Sequence, residues 1–216
     1  MTISLSSYVE KVRKAIDDIT PGVIDDFAAD ANNEIKQAIR YAVDGLLMVL
    51  PLEMLIPTVK SEGLTTGKRE SDGSGYVLLD DSKFLRFGSL TVSGWIGSVT
   101  ELMDWNGEEV KMQRSAWSRG TASKPKAVFD FVRPAGEASG SAGSLAIRFW
   151  PSTAENNVTV SYIERAELQA NDADKLICAL REGSEKSIVY QACRIYLEGK
   201  KESEMAEKFS KLFNEL

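Results

Sequence analysis

The sequence predicts an α+β fold: an N-terminal helical hairpin and C-terminal helices packed together, with a central small antiparallel β-sandwich or barrel. Three observations predict it. Apolar residues recur at helical intervals across residues 8–50, and again from residue 172 to the end. Between these stretches lie short apolar runs punctuated by Gly, Pro, Asn, Asp and Ser, the signature of strands joined by turns. The changes of period divide the chain into a helical domain, residues 1–56 and 169–216, and a β-rich domain, residues 57–168. A length of 216 residues suits one elaborated domain or two small ones.

Ser7 and Glu10 have capping-box spacing, and Val9, Val12, Ile16 and Ile19 follow, so a first helix is expected over 8–19. Thr20, Pro21 and Gly22 break it. A second helix is expected over 24–50, about 40 Å long, with Phe27, Ala31, Ile35, Ile39, Ala42, Val43 and Leu46 on one side. Asp25 and Asp26 suit its N-terminal dipole, and Pro51 ends it. Residues 51–59 read as a turn into an extended arm, and the polar, glycine-rich residues 60–75 as a loop or hairpin tip.

Strands are expected at 76–79 and 84–92 with a turn at 80–82, then a reversal at 93–97 around Trp95, a strand at 98–103, a turn at 104–107 and a short helix at 108–113. A strand at 127–132 precedes the low-complexity stretch 134–144. Strands at 145–150 and 157–163 have the spacing of an antiparallel hairpin. From residue 172 a short helix carrying Leu176, Ile177 and Leu180 is expected, then one from Ser184 with Ile188, Ala192, Ile195 and Tyr196 inward. Glu198 and Gly199 stop it, and Met205, Phe209, Leu212, Phe213 and Leu216 mark a last amphipathic helix.

Composition narrows the chemistry. The chain has no histidine, which removes Ser-His-Asp and Cys-His nucleophilic sites and the usual metal triads. Cys178 and Cys193 stand alone and read as free core thiols; no metal site and no cofactor motif is read. The carboxylate pairs Asp25-Asp26, Asp80-Asp81 and Glu108-Glu109 are explained by turns and helix starts, so no catalytic residue is assigned and the chain reads as a non-enzyme. The longest apolar run falls short of a bilayer span and nothing near Met1 resembles a signal peptide, so no membrane is expected and synthesis in the cytoplasm is. Residues 1–56 carry 5 basic and 9 acidic side chains, an excess that disfavours tight binding to phosphates.

One basic run holds an aromatic: Arg114, Trp117, Arg119, Lys124 and Lys126. It suits a single-stranded nucleic-acid patch or an exposed loop that docks on a protein, and tryptophan with arginine favours the protein partner.

Residues 78–102 resemble a segment of the head-to-tail adaptor proteins of tailed bacteriophages. Leu79, Asp80, Asp81, Phe84, Leu85, Arg86, Gly94 and Trp95 carry the resemblance. The family's proline before the aspartates is absent, and Ser82-Lys83 separates them from Phe84. Gln113, Arg119-Gly120-Thr121, Lys124-Pro125 and the strand after them keep the family's order, as do Phe149-Trp150-Pro151 and the valine-rich run ending in Tyr162. Ala192 and Tyr196 in the C-terminal helices, with a Glu-Lys-rich last helix, are also similar.

The resemblance implies a virion protein of the neck, made in the host cytoplasm. Its copies form a homo-oligomeric ring, commonly twelvefold, that joins the portal protein to tail or second-ring proteins around a channel, where genomic DNA passes without specific contact. The alternative is a carbohydrate- or protein-binding β-module of an accessory or receptor-binding phage protein, for which exposed tryptophans among Trp95, Trp105, Trp117 and Trp150 are the candidates.

Overall fold

The computed structural model describes residues 1–19, 29–69, 71–113, 115, 117–132, 143–153 and 157–216. In chain order the described residues form β1 (Thr2–Ser4), α1 (Leu5–Ile19), α2 (Ala29–Val49), a 3-10 turn (Leu52–Met54), β2 (Thr58–Lys60), β3 (Thr66–Arg69), β4 (Ser74–Leu78) and β5 (Phe84–Val92). Then come α3 (Glu108–Met112), β6 (Lys126–Val132), β7 (Ser144–Trp150), β8 (Val158–Glu164), β9 (Glu167–Gln169), β10 (Asp172–Ile177), α4 (Glu185–Gly199) and α5 (Ser203–Asn214). The fold is α+β. It comprises two compact units, Met1–Ile56 with Arg165–Leu216, and Pro57–Glu164.

In the helical unit, α4 packs against α1, α2 and α5. Each helix buries one stripe, as its apolar spacing requires: Val9, Val12 and Ile16 from α1, Ile35, Ile39, Val43 and Leu46 from α2, Ile188, Ala192 and Leu197 from α4, and Phe209 from α5. An antiparallel sheet in the order β1-β10-β9 completes the unit, with Ile3 opposite Leu176. The expected helix carrying Leu176, Ile177 and Leu180 is therefore a strand. Leu176 is buried and Ile177 exposed, the alternation of a strand, and pairing with β1 at the far end of the sequence decides the conformation.

Helix α1 begins three residues before the expected start, so Ser7 and Glu10 lie inside it rather than forming its cap. The Ser7 amide donates to Ser4 Oγ at 3.3 Å, and the Ser6 amide donates to Asp174 Oδ1 on β10 at 3.0 Å. Ser4 and Ser6 hydroxyls and Lys36 of α2 donate to the same carboxylate. Asp174 thus satisfies an orphan N–H of α1 from a distant strand and sets a negative charge at the positive end of the helix.

The β unit is an open sandwich. One antiparallel sheet runs β2-β8-β5 and the other β3-β4-β7-β6. Their inner faces share a core, with Leu90, Val92, Val158, Val160 and Tyr162 from the first and Val77, Ala127, Ile147 and Phe149 from the second. The sheets are not closed into a barrel. Strands β7 and β8 lie in different sheets, so the expected hairpin between them does not form. The stretch expected as a loop or hairpin tip at 60–75 contains β3, hairpinned on β4. No strand forms over 98–103; Val99 and Met103 make isolated bridges to Leu90 and Val128. In β5 the register shifts between Phe87 and Ser89, and a Cβ on Gly88 would lie 2.9 Å from the Ser161 carbonyl oxygen, so this irregularity needs glycine. The expected breaks at 20–22, the Asp25-Asp26 pair and most of 134–144 lie outside the described residues.

Asp174 gives this unit an acid sensitivity of known sign. The Ser6 hydroxyl, with Ser4 and Lys36, holds its carboxyl down at about 2 although burial opposes this. Its contribution is present above the unfolded value of about 4 and is lost as pH falls towards 2. Asp174→Ala should cost about 1 kcal/mol at neutral pH and should remove part of the acid-induced loss of helix between those limits, read by circular dichroism across a pH series.

Candidate functional site

The residues that carry the family resemblance frame the sandwich. Asp80 ends the approach to β5: its Oδ1 accepts from the Ser82 amide at 3.1 Å and from the Ser82 hydroxyl, and its carbonyl oxygen accepts from the Phe84 amide at 2.8 Å. The Ser82 hydroxyl holds the Asp80 carboxyl below the usual carboxylate range. An aspartate bonding its own backbone two residues on is a turn-former. Asp81 is exposed beside it. Phe84 is buried, with its ring 5.5 Å from Phe129 and 5.6 Å from Tyr162; Leu85 and Arg86 are half-buried on β5.

At the other end of β5, Gly94 takes φ +85°, a left-handed conformation that glycine adopts without strain, and so reverses the chain. This seats Trp95, whose Nε1–H donates to the Pro151 carbonyl oxygen at 3.0 Å and whose ring meets Phe149 edge-on at 5.7 Å. Trp95 and Trp150 are thereby taken up by packing, Trp150 being 2% exposed. Trp105 and Trp117 remain at the surface.

Both lie in the long excursion from residue 93 to residue 125, between β5 and β6, which is fastened at several points. The Ile96 amide donates to the Ala122 carbonyl at 2.8 Å, Val99 and Leu90 exchange backbone bonds, and the Met103 amide donates to the Ala127 carbonyl at 2.8 Å. Thr121 and Lys124 close a tight turn on each other. Gln113, buried after α3, bonds in three directions: its Nε2 donates to the Glu109 carbonyl at 3.0 Å, its Oε1 accepts from the Gly120 amide at 2.7 Å, and its own carbonyl accepts from Arg119 Nε at 3.2 Å. Gly120 lies so close to the Trp150 carbonyl that a Cβ there would come within 2.8 Å of it.

This framework places the basic candidates differently from one another. Trp117 is 98% exposed. Arg119 is folded inward onto Gln113 and against Gly73, where a side chain's Cβ would meet the guanidinium at 2.5 Å. Lys126 pairs with Glu109 at 3.6 Å, and Lys124 is exposed in its turn. Arg114 lies outside the described residues. Ile96 at 84% exposure, with the half-exposed Trp105 and Met112, adds apolar surface to the same excursion. Leaving one large aromatic in water forgoes on the order of 4 kcal/mol of burial, and exposed apolar side chains grouped together are a general mark of interaction sites.

The helical unit has a second, unlike surface. Tyr41, Met48 and Val49 of α2 point outward, off the buried stripe. Beside Tyr41 an open groove of about 240 Å³ runs between α2 and α4, lined by Gln37, Ala38, Tyr41, Ile195, Tyr196 and Lys200 among others. Lys200 pairs with Glu34 at 2.5 Å and lies 5.6 Å from the Tyr196 ring centre. Sequence reasoning did not single out this surface. Its signal was the three apolar residues left over once the stripe of α2 had been assigned. Gln113 was named only for its place in the family's order; its part in bonding the Glu109 carbonyl and the Gly120 amide carried no sequence signal.

The remaining reactive groups are held inert. Burial pushes the Cys193 thiol up to about 12 and raises that of Cys178, so both stay protonated. Glu108 and Glu109 start α3, where carboxylates favour the dipole. Among the described residues no group of three or more Cys, Asp or Glu side chains is placed to hold a metal ion, and no helix is long and apolar enough to cross a membrane.

Gln113→Ala should leave the Gly120 amide without its acceptor and cost about 1–3 kcal/mol. Trypsin should then cleave at Arg119 faster than in the native protein, as read by mass spectrometry of early fragments. Compared with models of known protein families and with curated protein sequences, the chain matches none.

Proposed function

We propose that this chain is a structural protein of the tailed-phage virion, whose copies form a ring at the neck that joins the portal to the tail and encloses the channel for DNA. The observation that carries the reading is Trp117, almost wholly in water on a segment closed at its base by the bond between Gln113 and Gly120. A residue so placed serves a partner. The second apolar surface, on α2, lies in the other unit and is unlike the first. Two different patches per subunit are what a head-to-tail contact needs, and head-to-tail contacts generate closed rings when the rotation allows. The resemblance of residues 78–102 to the head-to-tail adaptors supplies the place of such a ring.

No chemistry is required of this function. Binding is shared over many copies, so each interface is modest and the assembly strong. The helical unit carries 14 basic and 19 acidic side chains over residues 1–56 and 165–216. That balance keeps contact with the passing genome transient and non-specific.

Purified protein examined by native mass spectrometry and negative-stain microscopy, alone and mixed with a portal, should give closed rings seated on the portal. A monomer that persists at high concentration and ignores the portal overturns the proposal. Alanine at both Asp80 and Asp81 should leave ring formation within about twofold of wild type, because their roles are local to one turn.

A further inference from the structure

We infer that the ring contact is a knob in a groove: Trp117 of one copy seats between α2 and α4 of the next copy. The inference rests on the ring reading above and specifies its interface.

Three observations carry it. The first is size. The groove, at about 240 Å³, is smaller than the roughly 300–1,000 Å³ of sites for drug-sized ligands and suits one large side chain. Gly199 lines it without a side chain, and a Cβ added there would meet nothing within 4 Å.

The second is chemistry. Tyr41 and Tyr196 give the groove aromatic walls, Ile195 an aliphatic one, and Lys200 a cation already held by Glu34 and by the Tyr196 ring. An incoming indole gains edge or offset contacts with the tyrosines and a cation at its face. Among the described residues Trp117 is the large side chain with most to gain, because almost all of its surface lies in water.

The third is charge. Residues 108–126, which carry Trp117, hold five basic side chains against two acidic ones, whereas the helical unit has a net charge of −5. The groove's own charges, Glu34 and Lys200, cancel, so the attraction is between the loop and the helical unit as a whole, which favours head-to-tail over like-to-like encounter.

Cross-linking tests the contact directly. Ser118 and Gln37 are both at the surface, so Ser118→Cys and Gln37→Cys leave the fold intact, and the buried thiols Cys178 and Cys193 stay unreactive. Under oxidation the double variant should run on a non-reducing gel as a ladder of multiples of the 23.8 kDa chain, while each single variant stays monomeric. In parallel, Trp117→Ala should raise the concentration needed for half-assembly at least about tenfold with an unchanged melting temperature for the unassembled chain. Dimers from either single variant would mean like-to-like pairing and overturn the inference. Rings visible by microscopy without a ladder from the double variant overturn this contact and leave the ring reading standing. Failure of the wild-type chain to assemble at all overturns both.

Discussion

The pairing of β1 with β10 is the constraint on which the helical unit depends. It sets Ile3 against Leu176 in the core and brings Asp174 to the start of α1, where one carboxylate serves Ser4, Ser6 and Lys36 together. Strand, first helix and second helix are thereby fixed to one residue of the C-terminal segment. The stripes of α1 and α2 can then close on α4, to which the Cys193 thiol adds a weak donation to the Val12 carbonyl. The chain between the paired strands is long, but closure entropy grows only slowly, by about 0.6 kcal/mol for each doubling of length. The burden falls on folding rate, since pairing at such separation is slow to find.

A different economy governs the excursion between β5 and β6. A loop that displays tryptophan and isoleucine to water is tempted to collapse and hide them. Gln113 ties α3 to Gly120, with Arg119 bound back on the same residue, so the segment that carries Trp117 is closed at its base. Of the basic run read in the sequence, Arg119 bonds back to Gln113 while Trp117 lies at the surface.

Much of the architecture could be read from the sequence where local period and tertiary environment agree. The stripes of α1, α2, α4 and α5, the full span of β5 and the presence of β6, β7 and β8 were legible because each is an apolar pattern with marked ends. The α+β class follows from them. What was not legible depended on distant partners. Strand β10 buries one apolar residue among its six and exists because β1 lies beside it. Strand β3 is Thr-Gly-Lys-Arg, a loop by composition, and is extended because β4 pairs with it. The spacing between β7 and β8 matched a hairpin, yet spacing cannot say that consecutive strands belong to opposite sheets. The same limit applies to the site. Four tryptophans look alike in a sequence, and only packing separates Trp95 and Trp150, absorbed by the sandwich, from Trp105 and Trp117 at its surface.

The strands that open and close the β unit are direct neighbours: Thr58 of β2 stands opposite Tyr162 of β8. Cross-strand partners lie about 5 Å apart at their Cα atoms. The sandwich therefore begins and ends at one spot, as a module inserted into a single connection of a helical protein would. Such a module can be exchanged, shortened or circularly permuted, with new ends opened at the turn after Asp80, while the peptide links on either side keep their spacing.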